Sequence, residues 1–259
     1  MSKKNKRIHL SERDRAILLQ GKTDMIYPEV VLRRFFADGN MDAARSVLRR
    51  LCGEAPEYLY LRPEPLDERR VYYRLTREAT RLLGISPKCA VALKKLGKVK
   101  RYAVSWFIHA DQPGKRVRFN PLDFAEQFAI AGESLTRHPF FIDETTDRPK
   151  LGIIFVDHKA HIRRILHKTV KPLARFLRHG WFDSFIRQHS FIVAVLTFNS
   201  FRKRAILAQL PPYLSEQLRY PLSRLLAEPQ ECLPIDIQVH VIPGMDALVS
   251  PETSKGTTP

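Results

Sequence analysis

The stretch Lys150–Lys159 (KLGIIFVDHK) constrains the fold of this chain more than any other. It is an apolar run from Leu151 to Val156 that ends abruptly in Asp157-His158-Lys159. A short apolar run of β-branched and aromatic residues without helical spacing predicts a strand that is buried on both faces. Side chains two residues apart in a strand share a face, so we expect Asp157 and Lys159 to lie together where this strand ends.

The sequence around this strand predicts an α/β domain. In chain order we expect a helix over 120–136, a strand Phe140–Asp143, the strand Leu151–Asp157, a helix Ala160–His179, a strand Phe191–Phe198, a basic helix from Arg202 and a strand Ile235–Ile242. Apolar strands that alternate with helices are typical of an α/β sandwich with a mixed sheet. Before them, a helix over Ser86–Leu96 and a hairpin of Tyr102–His109 with Lys115–Phe119 are predicted, the hairpin supplying edge strands.

The first part of the chain predicts three helices followed by a β-hairpin. The helices begin after Ser11, span Pro28–Phe36 and run from about Met41 to Leu51. The apolar residues of the third helix recur every three or four positions and are expected to pack on the first two helices. The strands Tyr58–Arg62 and Arg69–Leu75 flank a turn rich in proline and acid. This order predicts a helix-turn-helix unit with a wing.

Exposed arginines on that unit are candidate contacts to duplex DNA. On the third helix we assign Arg45, Ser46, Arg49 and Arg50 to the major groove or its phosphates. On the wing, near the tip of the hairpin, we assign Arg62, Arg69 and Arg70 to the DNA backbone or the minor groove. A helix-turn-helix unit that mediates protein contacts is the alternative, and the positive charge of the chain favours DNA.

The net charge of +17 and the pI of about 10.1 predict a polyanionic partner. A solubilising surface and a membrane-surface helix are the alternatives. No basic amphipathic helix with an exposed apolar face argues for a membrane. Three widely spaced cysteines without a CxxC pair suggest neither a disulfide framework nor a zinc site. The basic N-terminus lacks the apolar segment of a signal peptide, so we expect a cytoplasmic protein.

The second half of the chain adds two further basic surfaces. On the helix Ala160–His179 the cations interleave with apolar residues that would face the sheet, and we assign Arg163, Arg164 and Lys168 to phosphates. Arg202 and Lys203 follow the strand Phe191–Phe198 and would share an edge with Lys159 if the strands are parallel. A solvated helix face is the alternative for all five cations.

The segment VYYRLTREATRLLG, Val71–Gly84, resembles the wing strand and the following helix of winged-helix proteins. Together with the opening LSERDRAIL, it resembles the replication-relaxation family of mobile-element proteins. That resemblance implies a winged helix at 1–97 and a nuclease-like domain at 98–249. It implies double-stranded DNA as partner, a role in replication, transfer or transcriptional control of a plasmid or integrated element, and a homodimer or other mobile-element proteins as further partners. The short polar segment 250–259 is predicted to be a disordered tail.

The order of elements in the second half is also similar to the restriction-endonuclease-like core, whose motif is an acid on one strand and (D/E)-x-K on the next. On that pattern, Asp143 and Asp157 would hold Mg²⁺ and Lys159 would stabilise charge at the phosphate. Asp147 could replace Asp143, and Glu126 is a further candidate ligand. A charged strand end that is only a solvated rim is the alternative.

Two functions therefore stay open. The first is a DNA-binding protein whose nuclease-like domain is not catalytic and which needs no cofactor. The second is a Mg²⁺-dependent endonuclease or nickase that the winged helix delivers to its site. We favour the first, because the metal site lacks an unambiguous second acid. No Gly-rich phosphate loop, GxSxG, HExxH or Cys/His cluster is present in the sequence.

Overall fold

The computed structural model describes residues 9–54, 58–119, 124, 138–226 and 233–250. The chain divides into two compact units, Met1–Lys94 and Lys95–Pro259, here called the N-terminal and the C-terminal unit. The sequence placed the boundary after Gly97. It falls slightly earlier because a helix of the C-terminal unit already begins at Lys95.

Three helices open the N-terminal unit: α1 Glu12–Gln20, α2 Pro28–Phe35 and α3 Met41–Cys52. Each begins at a local signal in the sequence. Ser11 and Asp14 form a reciprocal capping box at α1, Pro28 occupies the first position of α2, and the Asn40 side chain accepts the Ala43 N–H at α3. The helices thus start where side chains satisfy, or proline removes, backbone donors that have no partner within the helix.

A β-hairpin follows the three helices. Strand β1 Leu61–Pro65 pairs antiparallel with β2 Val71–Leu75. The strand lies later than the sequence predicted, because Pro63 and Pro65 are part of it; an edge strand can contain proline since only one side needs hydrogen bonds. Ile26 adds an isolated antiparallel bridge to Tyr73, whose N–H donates to the Ile26 carbonyl at 2.8 Å.

A short helix and a shared core complete the N-terminal unit. Helix α4, Arg77–Leu82, begins at Thr76, whose hydroxyl accepts the Ala79 N–H. The apolar faces of the three opening helices and the hairpin meet in one core that includes Ile17, Leu18, Val31, Leu48, Leu51, Leu61 and Leu75. The core lies on one side of α3, which leaves the opposite side of that helix to solvent.

The segment between the hairpin and residue 115 differs from the sequence prediction. The predicted helix over Ser86–Leu96 is only a 3₁₀ turn, Pro87–Ala90. The predicted strand Tyr102–His109 is instead helical, as part of α5 Lys95–Trp106 and a π-helical turn Phe107–Asp111. The buried residues Val99, Ala103 and Phe107 recur every four positions, a helical period that the β-branched and aromatic content of the segment concealed.

The C-terminal unit is built on a five-stranded mixed sheet. Its strands are β3 Arg116–Arg118, β4 Phe140–Asp143, β5 Lys150–Val156, β6 Phe191–Thr197 and β7 Asp236–Val241, and they lie side by side in that order. The pairs β3–β4 and β4–β5 are antiparallel, whereas the pairs β5–β6 and β6–β7 are parallel. The mixed α and β architecture and the burial of β5 on both faces, from Leu151 to Val156, are confirmed.

Helices connect the parallel strands. They are α6 Ile162–His179, α7 Asp183–Arg187 and α8 Ser200–Leu225, with α9 Met245–Val249 after β7. Residues Ile153 and Phe155 of β5 share a core with apolar residues of α6 and α8. Helix α6 is continuous through Pro172.

The other face of β5 approaches a phenylalanine pair. Gly152 lies so close to Phe141 that a Cβ atom there would be 2.2 Å from Cε1 of that ring. Phe141 in turn meets Phe107 edge to face, with ring centroids 5.2 Å apart. Glycine in the middle of a strand is therefore explained by the close packing of an aromatic ring from β4.

Several predicted features lie outside the described residues: most of the helix over 120–136 with Glu126, and the tail from 251 onward. None of the helices in the described ranges is both long enough and apolar enough to cross a membrane.

Candidate nucleic-acid interface

The outer face of α3 presents polar and basic side chains. Ala44, Val47 and Leu48 are buried in the core, whereas Arg45, Ser46 and Arg49 are exposed. The side chain of Arg45 is 54% exposed and lies 3.8 Å from Asp42, which is itself 95% exposed, so this ion pair is weak in water. Arg49 forms no ion pair with any residue that the structure describes. This face therefore carries arginines that can reach a ligand.

Tyr73 of β2 lies beside these arginines. Burial raises the pKa of the Tyr73 hydroxyl, and the Cys52 thiol adds to the rise, while the positive charges of Arg49 and Arg45 oppose it. Tyr73 of the hairpin thus lies close enough to Arg49 and Arg45 for their charges to affect its hydroxyl. The sequence did not single out Tyr73, because its role depends on pairing between elements far apart in the chain.

Arg50 was predicted to contact DNA, but its guanidinium is paired with a buried carboxylate of the same unit. One of its guanidinium nitrogens, Nη2, lies 2.6 Å from Oδ1 of Asp14, whose side chain is only 1% exposed. Burial alone would raise the pKa of Asp14, but hydrogen bonds from Arg50 and Ser11 outweigh it and hold the pKa below its usual value. Arg50 therefore fastens α3 to the start of α1.

The tip of the hairpin, Leu66–Arg70, is organised by Asp67. Its Oδ1 accepts the N–H groups of Arg69 and Arg70 at 2.9 and 2.8 Å, and its Oδ2 accepts Nε of Arg70 at 2.6 Å. The Arg70 side chain is thus folded back onto the turn, contrary to its assignment as a wing contact. The Arg69 side chain is exposed and makes no ion pair within the described part of the chain.

Arg62 lies at the base of the hairpin rather than near the tip, because its partner across the strands is Arg74. Its side chain is 52% exposed, 3.4 Å from Glu64 and over the ring of Tyr58. Glu64 is engaged more closely by Arg74, at 2.6 Å. Arg62 therefore stays accessible, but at a different point of the surface from Arg69.

Asp157, the predicted metal ligand that follows β5, is fully buried in an ion pair. Its Oδ2 accepts Nε of Arg202 at 2.6 Å and the Thr197 hydroxyl at 3.2 Å, and its Oδ1 accepts Nη2 of Arg202 at 3.3 Å. Arg202 also donates to the Ala160 carbonyl. The pair joins the end of β5 to the start of α8, so Arg202, predicted as a phosphate contact, is a structural residue.

Asp143 lies at the opposite end of β5. The antiparallel register pairs Asp143 with Lys150, the first residue of β5, whereas Asp157 follows its last residue. At about 3.3 Å per residue, the two acids are separated by roughly 20 Å along the strand. The prediction that they hold one ion is wrong, and Asp147, in the turn next to Asp143, cannot replace it. The start of β4, which does approach the end of β5, follows His138 and Pro139 rather than an acid.

Asp143 belongs to a buried polar network around Arg116. The Arg116 guanidinium contacts Asp143 at 3.2 Å and Asp111 at 2.6 Å, and it lies over the ring of Phe107. Burial would raise the pKa of Asp143, but hydrogen bonds from Thr145 and Arg116 outweigh it and lower the pKa. This network ties β3 and β4 to the π-helical turn and engages both oxygens of Asp143.

Lys159, the third predicted catalytic residue, is exposed and has a left-handed backbone with φ of 61°. The described residues include no group of three or more His, Cys, Asp or Glu arranged to hold a metal ion. The end of β5 therefore presents a lysine without the two free carboxylates that a magnesium site there would need.

The remaining predicted cations of the C-terminal unit are accessible. Arg163, Arg164 and Lys168 are exposed on α6, and Lys203 is partly exposed on α8. β5 and β6 are parallel, as the shared edge of Arg202 and Lys159 required. Two residues that the sequence did not assign, Lys100 of α5 and His158, lie near Lys168. Lys100 was missed because α5 was expected to be a strand from Tyr102 onward.

Comparison of the chain with protein-family models, with curated proteins and with solved structures finds no match. The geometry of the described residues is therefore the basis for a functional proposal.

Proposed function

We propose that the N-terminal unit is a winged helix that binds double-stranded DNA. Helix α3 would enter the major groove, and the hairpin would act as the wing. The observation that carries the proposal is the division of α3 into a buried apolar face and an exposed face with Arg45, Ser46 and Arg49. Arginine and serine at such positions donate hydrogen bonds to base edges and phosphates.

The order of elements supports this proposal. Three helices precede a hairpin, and the bridge between Ile26 and Tyr73 adds a short third strand segment between α1 and α2. Arg69 at the exposed tip and Arg62 at the base of the hairpin are suited to phosphates on either side of the groove. Phosphate contacts position such a protein, and contacts to base edges specify its site.

The wider role that we propose is that of a cytoplasmic DNA-binding protein of a plasmid or integrated element, acting in replication, transfer or transcriptional control. In it, the C-terminal unit is a non-catalytic scaffold of nuclease-like type. The burial of Asp157 against Arg202 and the distance of Asp143 from it favour this role over a Mg²⁺-dependent nuclease. DNA binding through arginines requires no cofactor.

The test is a selection of duplexes from a random-sequence pool by the full-length protein, followed by affinity measurements on a selected and an unselected duplex. We expect the pool to converge on one sequence motif. In the variant Arg45→Ala with Arg49→Ala, loss of base contacts should weaken binding to the selected duplex by about tenfold or more and reduce the preference for it.

The matched control is Arg15→Ala with Lys22→Ala, which removes two exposed charges of the same unit. Arg15 lies in α1, and Lys22 lies just after it. It should retain the preference for the selected duplex. A pool that does not converge, or an Arg45 and Arg49 variant that selects as the unaltered protein does, would overturn the proposal.

A further inference from the structure

Helix α6 has a positive surface with no acid to balance it. Its 18 residues include no Asp or Glu. They include six cations, which are Arg163, Arg164, Lys168, Lys171, Arg175 and Arg178. Every fully exposed residue of the helix is Lys, Arg or His, because the apolar residues are used in the core under the sheet. Arg164, Lys168 and Lys171 follow one another at four- and three-residue spacing, and we call these three the α6 cationic face.

The three side chains form no ion pair with any residue in the described ranges. Neighbours at this helical spacing are only about 5–6 Å apart between their Cβ atoms, so their like charges destabilise the helix slightly. The cationic face lies near the start of α6 and close to the loop that follows β5. That loop contains His158 and Lys159.

Other elements bring further basic side chains to the same place. Burial lowers the pKa of Lys100 on α5, and the charges of Arg118 and Lys168 lower it further. Burial likewise lowers the pKa of His158, and there Lys168 is the strongest charged contributor. Asp157 opposes this effect on His158 but is itself paired with Arg202. Folding therefore brings Lys100 of α5 and the imidazole of His158, in the loop after β5, close to Lys168.

We infer that the α6 cationic face is a second surface for the phosphodiester backbone of nucleic acid, separate from α3 and independent of base sequence. Several cations in a row along a helix, without side chains suited to base edges, match a row of phosphates. A membrane surface fits less well, because a helix that lies in an interface needs exposed apolar residues beside its cations, and α6 has none fully exposed.

This inference goes beyond the proposed function, since it concerns binding that has no preferred sequence and that does not depend on α3. It predicts that the full-length protein binds a mixed-sequence duplex with a salt dependence to which α6 contributes. For each phosphate that a variant no longer neutralises, the magnitude of the negative slope of log affinity against log salt should decrease by about 0.9.

The experiment compares the full-length protein with the variant Arg164→Gln, Lys168→Gln, Lys171→Gln on a short mixed-sequence duplex over a range of salt concentrations. We expect the affinity to fall about tenfold or more at low salt and the magnitude of the slope to decrease by about 2 to 3. The affinity for a duplex selected for α3 should fall by the same factor, because phosphate contacts carry no sequence preference.

The charge-matched control is Lys115→Gln, Arg148→Gln, Arg187→Gln. These three cations are exposed and lie at the other end of the sheet, where β5 and β6 begin. The control should bind with nearly unaltered affinity and slope. Circular dichroism and thermal unfolding of both variants establish that each is folded.

The same proteins are also tested for binding to vesicles of anionic lipid. Three results would overturn the inference: the α6 variant binds the duplex like the unaltered protein, the control loses as much affinity for the duplex, or the α6 variant loses affinity for the vesicles only. The double variant at Arg45 and Arg49 separates the two proposals. If α3 does not contact DNA, that variant retains its affinity while the α6 variant still binds more weakly.

Discussion

The outer face of α3 and the end of β5 looked alike in the sequence, as charged groups presented to nucleic acid, yet the fold treats them in opposite ways. Arg45 and Arg49 of α3 are exposed. Asp157 at the end of β5 is buried, and its two oxygens accept hydrogen bonds from Arg202 and Thr197. A binding surface needs accessible charge, so the first region is suited to a ligand and the second to holding the fold together.

The difference teaches which inferences a sequence supports. The face of a helix is determined by spacing within one element, so the apolar residues of α3 reveal which side is exposed. A site at a strand end depends on the direction and register of neighbouring strands. Asp143 and Asp157 are each at the end of an apolar strand, but β4 runs antiparallel to β5 and places them at opposite ends.

The largest effect is expected for the variant Asp157→Ala. We expect the free energy of unfolding of the C-terminal unit to fall by about 3–5 kcal/mol, because the change leaves the largely buried Arg202 without its carboxylate. Urea unfolding followed by circular dichroism measures the loss. Asp147→Ala, at an exposed acid of the β4–β5 turn, is the control and should change little. Unaltered stability of Asp157→Ala would mean that the ion pair is not structural.

The pH dependence of the free energy of unfolding is expected to reflect the partly buried His240 of β7. Burial and, after it, the charge of Arg116 outweigh the opposing charge of Asp111 and lower the pKa of His240 from 6.5 to about 4. The unfolded chain then binds the proton more readily between these two values. Stability from this residue is complete above pH 6.5 and is lost as pH falls toward 4, by on the order of 3 kcal/mol.

The variant His240→Gln isolates this contribution, since the lowered pKa values of carboxylates such as Asp143 also make the protein less stable in acid. Urea unfolding of both proteins at pH 7, 6, 5 and 4 should show a steeper decline with histidine present than without it, because one fewer group titrates in the variant. Parallel declines would contradict a lowered His240 pKa.

A smaller effect is expected at Arg50, which is paired with Asp14, unlike its neighbour Arg49 on the same helix. Arg50→Ala should lower the free energy of unfolding by about 1–2 kcal/mol, since Asp14 stays buried and keeps only its capping contacts with Ser11. The expected loss is smaller than for Asp157 because Arg50 is 39% exposed and water screens the pair. Thermal unfolding of the variant measures it, and a change below about 0.5 kcal/mol would show that the pair contributes little.

Arg50 also marks the limit of prediction from periodicity. The spacing of α3 correctly placed Arg50 outside the apolar stripe, but a long side chain on the edge of that stripe can turn back to a partner on another element. Asp14 also belongs to the capping box of α1. Its contact with Arg50, 36 residues later, depends on how α1 and α3 pack.

Other parts of the fold were predicted because their signals are local. Ser11 and Pro28 start helices where the sequence indicated, and the apolar runs in β5 and β6 are strands. The segment Tyr102–His109 was misassigned because an apolar run of this length fits a strand or a buried helix equally well. Only its packing against the sheet, through Phe107 and Phe141, decides between them.

The central claim is that exposed arginines of α3, and not merely the charge of the chain, bind duplex DNA. Arg49→Ala and Arg50→Ala test it most directly, since the two variants remove the same charge from adjacent positions. Each is measured for thermal stability and for affinity to the selected duplex. We predict that Arg49→Ala binds about fivefold or more weakly with stability within about 0.5 kcal/mol, whereas Arg50→Ala loses stability and keeps most of its affinity when folded. Equal affinities of the two variants, or a larger loss of affinity at Arg50, would contradict the claim.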